Sequence, residues 1–321
     1  MKPALSVVLF TVLSGAGLGV LALTGFVALF GLPWLFPERL PHAAALGLAL
    51  TVAGLLSSTL HLANPRNAWR AFARFRTSWL SREGVFSLLL IASAAVFAVL
   101  LYAGVDASLR AGFAVLTIAL AWTVLVCTAM IYASLKPIRQ WRTPWTPVAY
   151  FVLGHLSGAL ILLAIARVDA SNSVRLAHLC LVLVVLAVAS KALYWRAIRA
   201  PRDAITLEQA IGVPQGVRPA GTSGTPTAMQ ARLFDAGHTG RTFLTDEFGF
   251  RLARRHRALL LAAFWLLGIV APLVWVAGAW WQTPVVVAAC AAHFAGLLAE
   301  RALFFADARH TVRLYHGDSH T

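Results

Sequence analysis

The residue types best suited to chemistry stand at one junction. His61-Leu62-Ala63-Asn64-Pro65-Arg66-Asn67-Ala68-Trp69-Arg70 is followed shortly by Arg76-Thr77-Ser78-Trp79-Leu80-Ser81-Arg82-Glu83-Gly84. His61 closes one apolar stretch and Glu83 opens the next. An imidazole and a carboxyl at the rim of a hydrocarbon layer can trade protons with water while a lipid-soluble molecule approaches from the side. Quinone chemistry requires this, because protons and electrons move together when a quinone is reduced. His61 can donate a hydrogen bond to a quinone carbonyl or shuttle a proton, and Glu83 is the second proton carrier. Arg66, Trp69, Arg76 and Trp79 complete the candidate quinone-binding set. The plainer alternative is a histidine that snorkels to the interface and a Glu83 paired with Arg82 or Arg76, since ion pairs also form where ionisable groups meet a membrane.

These residues need elements to carry them. Pro65 breaks the chain after His61. Trp69, Phe72, Phe75 and Trp79 then recur at spacings of three and four among Arg70, Arg74 and Arg76, the pattern of a short amphipathic helix lying along an interface. Residues 63–83 therefore read as an amphipathic connection. On either side the chain is apolar at the length a bilayer demands, about 20 residues per crossing. Such stretches fall at 5–31, 42–62, 84–105, 110–134, 147–166, 174–195, 258–281 and 284–306. Composition agrees, since 60% hydrophobic and 12% charged residues with a mean hydropathy of +0.76 lie far from a soluble average. The expected fold is an all-α integral membrane protein, an eight-helix bundle forming a single domain over 1–321. The longest polar connection, 196–257, is too short and too rich in Pro and Gly at 211–227 to form a second fold. The connection 196–257 is expected to dock a partner; its end, 243–256, mixes aromatic with charged residues and reads as a basic amphipathic helix, for which contact with lipid headgroups is the competing role.

A net charge of +15 would suit nucleic acid, but its distribution points to a membrane. With a cytoplasmic N-terminus, the cytoplasmic side receives Lys2, then Arg66, Arg70, Arg74, Arg76 and Arg82, then Lys136, Arg139 and Arg142, the basic residues of the sixth connection, and Arg301, Arg309 and Arg313. The opposite side receives Arg39, Arg110, Arg167 and Arg175. Lys and Arg are retained on the cytoplasmic side during insertion, so both termini and connections two, four and six are expected to face the cytoplasm, with no nucleic-acid partner. The first stretch is too long for a cleaved signal peptide and is expected to span. Gly15, Gly17 and Gly19 within it are expected to let a neighbouring helix approach closely.

Cys127, Cys180 and Cys290 each lie alone in an apolar stretch and build no metal motif, so any iron-sulfur cluster must reside on a partner. His155 and His293 fall near the middle of the fifth and eighth stretches. They would suit haem iron if they faced each other, although interhelical hydrogen bonding is the commoner role of such a residue. A secondary transporter is the competing class, but no inverted repeat is visible and the polar residues gather at one set of helix ends.

The junction, with Phe243-Leu244-Thr245-Asp246-Glu247-Phe248-Gly249-Phe250-Arg251 and Glu300-Arg301-Ala302-Leu303-Phe304-Phe305-Ala306-Asp307-Ala308-Arg309-His310-Thr311, resembles the membrane-anchor subunits of dimethyl sulfoxide reductase-type molybdoenzymes. The likeness extends over eight helices and most of the chain. It implies a molybdopterin catalytic subunit and an iron-sulfur electron-transfer subunit as partners, with molybdopterin and clusters held there and a membrane quinone, ubiquinone or menaquinone, served here. It also carries the quinone site onto His61 and Glu83. The charge asymmetry resembles the branch that serves cytoplasmic sulfite dehydrogenases, in which electrons flow from sulfite to the quinone pool of the inner membrane. The opposite direction, quinol oxidation for a reductase, is the alternative within the family.

Overall fold

The computed structural model describes residues 4–60, 65–168, 174–199, 256–278 and 282–316. Its helices are α1 (Leu5–Phe30), α2 (Leu40–Thr59), α3 (Trp79–Ala103), α4 (Ala107–Ala133), α5 (Trp145–Val168), α6 (Val174–Arg199), α7 (Arg257–Ala277) and α8 (Thr283–Ala306). Each is long and apolar enough to cross a membrane. Their order matches the eight expected stretches. The connection expected at 196–257 lies outside the described residues except where α6 ends and α7 begins, as does nearly all of the helix expected at 243–256.

Local chemistry sets the helix ends. Gly31 and Gly104 close α1 and α3 in the left-handed conformation, at φ 58° and 61°, where any side chain would crowd the backbone. Asp106 starts α4 by accepting from the N–H groups of Ser108 (2.8 Å) and Leu109 (3.2 Å). Those bonds, Leu109's foremost, hold its carboxyl below the usual range. Ser78 caps α3 by accepting from the Ser81 N–H at 3.4 Å. That cap moves the start of α3 to Trp79, so Trp79–Glu83, expected in the 63–83 connection, form its first turn. Earlier in the connection Pro65–Arg74 form a 3-10 helix.

α1 and α5 are the most enclosed helices, with α2, α4, α5 and α8 packed on α1. Small residues make this possible, because without a hydrophobic drive between helices in lipid the backbones must approach closely to gain dispersion contacts. A Cβ on Gly17 would lie 2.6 Å from the Gly47 carbonyl of α2, and one on Gly19 would collide with the Gly154 carbonyl of α5. Gly15 differs from expectation, since a Cβ there would meet nothing within 4 Å; its backbone, not its missing side chain, is what Gly154 approaches. Cys127 and Cys180 are buried and Cys290 is partly so, all as free thiols. Among the described residues no cluster of His, Cys, Asp and Glu is arranged to hold a metal ion.

α7 changes pitch within the bundle, running as a π-helix over Phe264–Val270. Pro272 explains part of this. In α register the Gly268 carbonyl would look for the N–H of residue 272, which proline lacks. His293 of α8 fills the gap, donating from Nδ1 to the Gly268 oxygen at 2.7 Å. The helices touch beside it, where a Cβ on Gly296 would collide with the Gly268 backbone nitrogen.

One end of the bundle gathers the N-termini of α1, α3, α5 and α7 with the C-termini of α2, α4, α6 and α8. There the α4–α5 connection clasps the chain beyond α8. Ile138 pairs with His310, the Thr311 N–H donates to the Pro137 carbonyl (3.0 Å), the Arg309 N–H to Gln140 Oε1 (3.0 Å), and the Trp141 indole N–H to the Phe304 carbonyl (2.9 Å).

Candidate functional site

The connector Pro65–Arg74 folds back on the first turns of α3. The Ser81 hydroxyl donates to the Ala71 carbonyl, and the Phe75 and Phe86 rings lie 5.7 Å apart. Gly84 is the gap that admits Phe72, whose ring a Cβ there would meet at 2.8 Å. Phe72 is thus placed beside Glu83, with Trp69 (64% exposed) and Phe75 on the outer surface.

Glu83 itself is 4% exposed. Its hydrogen-bond partner is Thr128 of α4, whose hydroxyl also stands 3.0 Å from the Val124 carbonyl. One hydroxyl between a carboxyl and a carbonyl can serve both protonation states. It donates to a carboxylate, or turns its proton to Val124 and accepts from a protonated acid. One turn further along α3, the buried Ser87 hydroxyl has no partner. The pairing of Glu83 with Arg82 or Arg76 that the plainer alternative requires does not form. The Arg82 guanidinium instead donates to the carbonyls of Phe75 (3.1 Å) and Arg76 (2.7 Å) and lies 4.3 Å above the Trp79 ring, which fastens the connector to α3.

Of the residues expected at this site, Glu83 and Trp79 share a helical turn and Arg76 joins them through its backbone. Trp69 lies outside under Arg70, 5.7 Å from its ring, and Arg66 is exposed at the far end of the connector. His61 lies outside the described residues; α2 ends at Thr59 and packs against α3, so the chain leaves α2 at the same end of the bundle as Glu83.

His155 and His293 turn away from each other. His155 accepts from the Trp122 indole N–H at 3.0 Å and donates from Nδ1 to the Phe151 carbonyl at 2.8 Å. His293 faces Ser157 with Nε2 at 3.0 Å and gives Nδ1–H to Gly268. Each imidazole thus has both nitrogens bonded within the protein, and the carbonyl partners fix the Nδ1–H tautomer in both. Positions 155 and 157 stand about 200° apart around a helix, so the two rings sit on opposite sides of α5, not on one iron.

Sequence reasoning missed a second charged cluster at the same end. Lys191 of α6 and Arg301 of α8 both bond the Glu300 carboxylate, and all three are at most 4% exposed. Aromatic faces surround them, with Tyr194 4.1 Å and Trp195 4.7 Å from the Lys191 ammonium, and Tyr150 4.1 Å and Phe304 4.9 Å from the Arg301 guanidinium. Arg301, expected among the charges of a cytoplasmic connection, is instead inside the bundle. The missed signal was a lysine within an apolar stretch, which has to find a carboxylate on another helix.

The chain is 32% identical to one of the subunits of the sulfite dehydrogenase of Allochromatium vinosum, over 98% of this chain and 99% of that one. Residues 1–306 match the family described as DMSO reductase anchor subunit (DmsC), and the chain belongs to that family.

Proposed function

We propose that this chain is the membrane-anchor and quinone-reactive subunit of a molybdopterin and iron-sulfur oxidoreductase, passing electrons from cytoplasmic sulfite oxidation to the quinone pool of the inner membrane. The observation that carries the reading is Glu83. It is a carboxyl buried at the end of a membrane-length helix, bonded to a hydroxyl that can follow its proton, behind an aromatic and arginine rim. A quinone supplies two carbonyl oxygens that each take a proton as electrons arrive. Glu83 gives a proton toward such an oxygen, Thr128 swings its own proton from the Val124 carbonyl to the new carboxylate, and water at the rim restores the acid. The unpartnered Ser87 hydroxyl offers a further donor to the same ligand. His61 takes the second proton role, and Arg66, Trp69, Arg76 and Trp79 line the approach from lipid.

Both termini and the docking face, including 196–257, are assigned to the cytoplasm by the charge asymmetry. An iron-sulfur subunit docks on that face and a large molybdopterin subunit beyond it. The relative's name supports sulfite as the source of electrons, while the family's description favours quinol oxidation as the second reading. The purified complex, given sulfite and a ubiquinone or menaquinone analogue, should reduce the quinone. A complex that oxidises quinol but delivers no sulfite electrons to quinone overturns the direction.

A further inference from the structure

Two buried donors at the ion cluster, the Nη1 of Arg301 and the hydroxyl of Tyr150, make no hydrogen bond of standard geometry among the described residues, although the two side chains lie close enough to interact with each other. Their residues are 4% and 6% exposed, and both line one cavity of about 20 Å³ bordered by α1, α5 and α8. Such a volume admits a single particle the size of a water molecule. It is far too small for a quinone ring or a polyatomic anion such as sulfate.

The charges around the cavity do not balance. Lys191 and Arg301 share the single carboxylate of Glu300. Asp307, which caps the C-terminus of α8, is committed to Arg257 at 3.2 Å, and Glu83 is bonded to Thr128 on the α3–α4 side. Among the described residues one positive charge is therefore left over, in a setting where burying an uncompensated charge is costly. The ring faces of Tyr150, Tyr194, Trp195 and Phe304 soften the two cations but carry no net charge. The other hydroxyls lining the cavity have carbonyl acceptors, Thr11 on Val8 (3.0 Å) and Ser157 on Leu153 (2.8 Å). What faces the cavity without a partner is thus a guanidinium N–H, which can only donate, and a phenol O–H.

We propose that this cavity binds one monoatomic anion of chloride size, held by Arg301 Nη1 and the Tyr150 hydroxyl, which neutralises the Lys191–Glu300–Arg301 cluster and ties α1, α5 and α8 together. The donor set and the excess charge exclude a cation and favour an anion over water. The proposal does not depend on the quinone reading.

The test uses the full-length chain purified in lipid nanodiscs, with sodium chloride or bromide exchanged for sodium gluconate at constant ionic strength. Ligand linkage predicts that raising halide from about 2 to about 200 mM lifts the Tm by roughly 3–8 °C. A bromide-loaded structure should show anomalous scattering between Arg301 and Tyr150. Tyr150→Phe keeps the ring over the guanidinium and removes one donor, so its halide response should shrink severalfold. A Tm indifferent to halide, a response undiminished in Tyr150→Phe, or ordered density at the site without a bromide signal each overturns the proposal, the last by identifying water.

Discussion

The hydroxyl of Thr128 on α4 bonds the carboxyl of Glu83 on α3 while lying 3.0 Å from its own helix's Val124 carbonyl. That bond joins the only acid of α3 to a rotor that can accommodate it with or without a proton. Thr128→Ser keeps the rotor and should keep quinone-coupled turnover. Thr128→Val keeps the shape and loses the rotor, so turnover should fall about 10-fold, the equivalent of roughly 1.4 kcal/mol for one hydrogen bond to a charged group. Steady-state quinone reduction by the assembled complex measures the difference.

Close backbone contact makes some glycines irreplaceable and leaves others indifferent. Gly296→Ala would drive a Cβ into the Gly268 backbone nitrogen and should destabilise the chain by about 1–3 kcal/mol through overpacking. Gly112→Ala, where a Cβ meets nothing within 4 Å, should be neutral or slightly stabilising. Thermal unfolding of the two variants in one detergent compares them directly.

The His293 imidazole links three helices, bonding the Gly268 carbonyl of α7 and Ser157 of α5 from α8. His293→Leu should cost about 1–3 kcal/mol, because it strands a carbonyl that Pro272 already deprives of its α-helical partner. Hydrogen exchange should rise most along Phe264–Val270.

The segment beyond α8 should loosen in acid. His310 Nδ1 accepts from the Val312 N–H at 3.1 Å, which requires an unprotonated nitrogen, and partial burial holds the imidazole below its usual range. A folded pKa below the unfolded one means that this contribution is fully present above the ordinary imidazole range and is lost as pH falls through the lowered value. Hydrogen exchange at Val312 should accelerate across that window, and His310→Gln should flatten the dependence.

Much of the fold was legible because a bilayer imposes length: eight apolar stretches became eight helices, although the caps at Ser78 and Asp106 start α3 and α4 several residues before the expected stretches. Glu83 was legible as the carboxyl at a helix entrance. Its partner was not, because Thr128 lies 45 residues away and reads as one more small residue in α4. The alternative pairing of Glu83 with Arg82 is not seen for a related reason, since the nearest carboxylate in sequence lost to two backbone carbonyls and the Trp79 ring. Lys191, Glu300 and Arg301 show the same limit, as their pairing exists only after α6 meets α8. The π-helical stretch of α7 required knowing that His293 reaches the Gly268 carbonyl, again a tertiary fact.

The most direct measurement of the central claim is quinone reduction by the intact complex carrying Glu83→Gln, beside electron delivery from the same complex to a water-soluble dye. With Glu83 as proton carrier, quinone turnover should fall roughly 100-fold or more while dye reduction and subunit assembly stay at wild-type levels. Quinone turnover near wild type in an assembled Glu83→Gln complex would contradict the account.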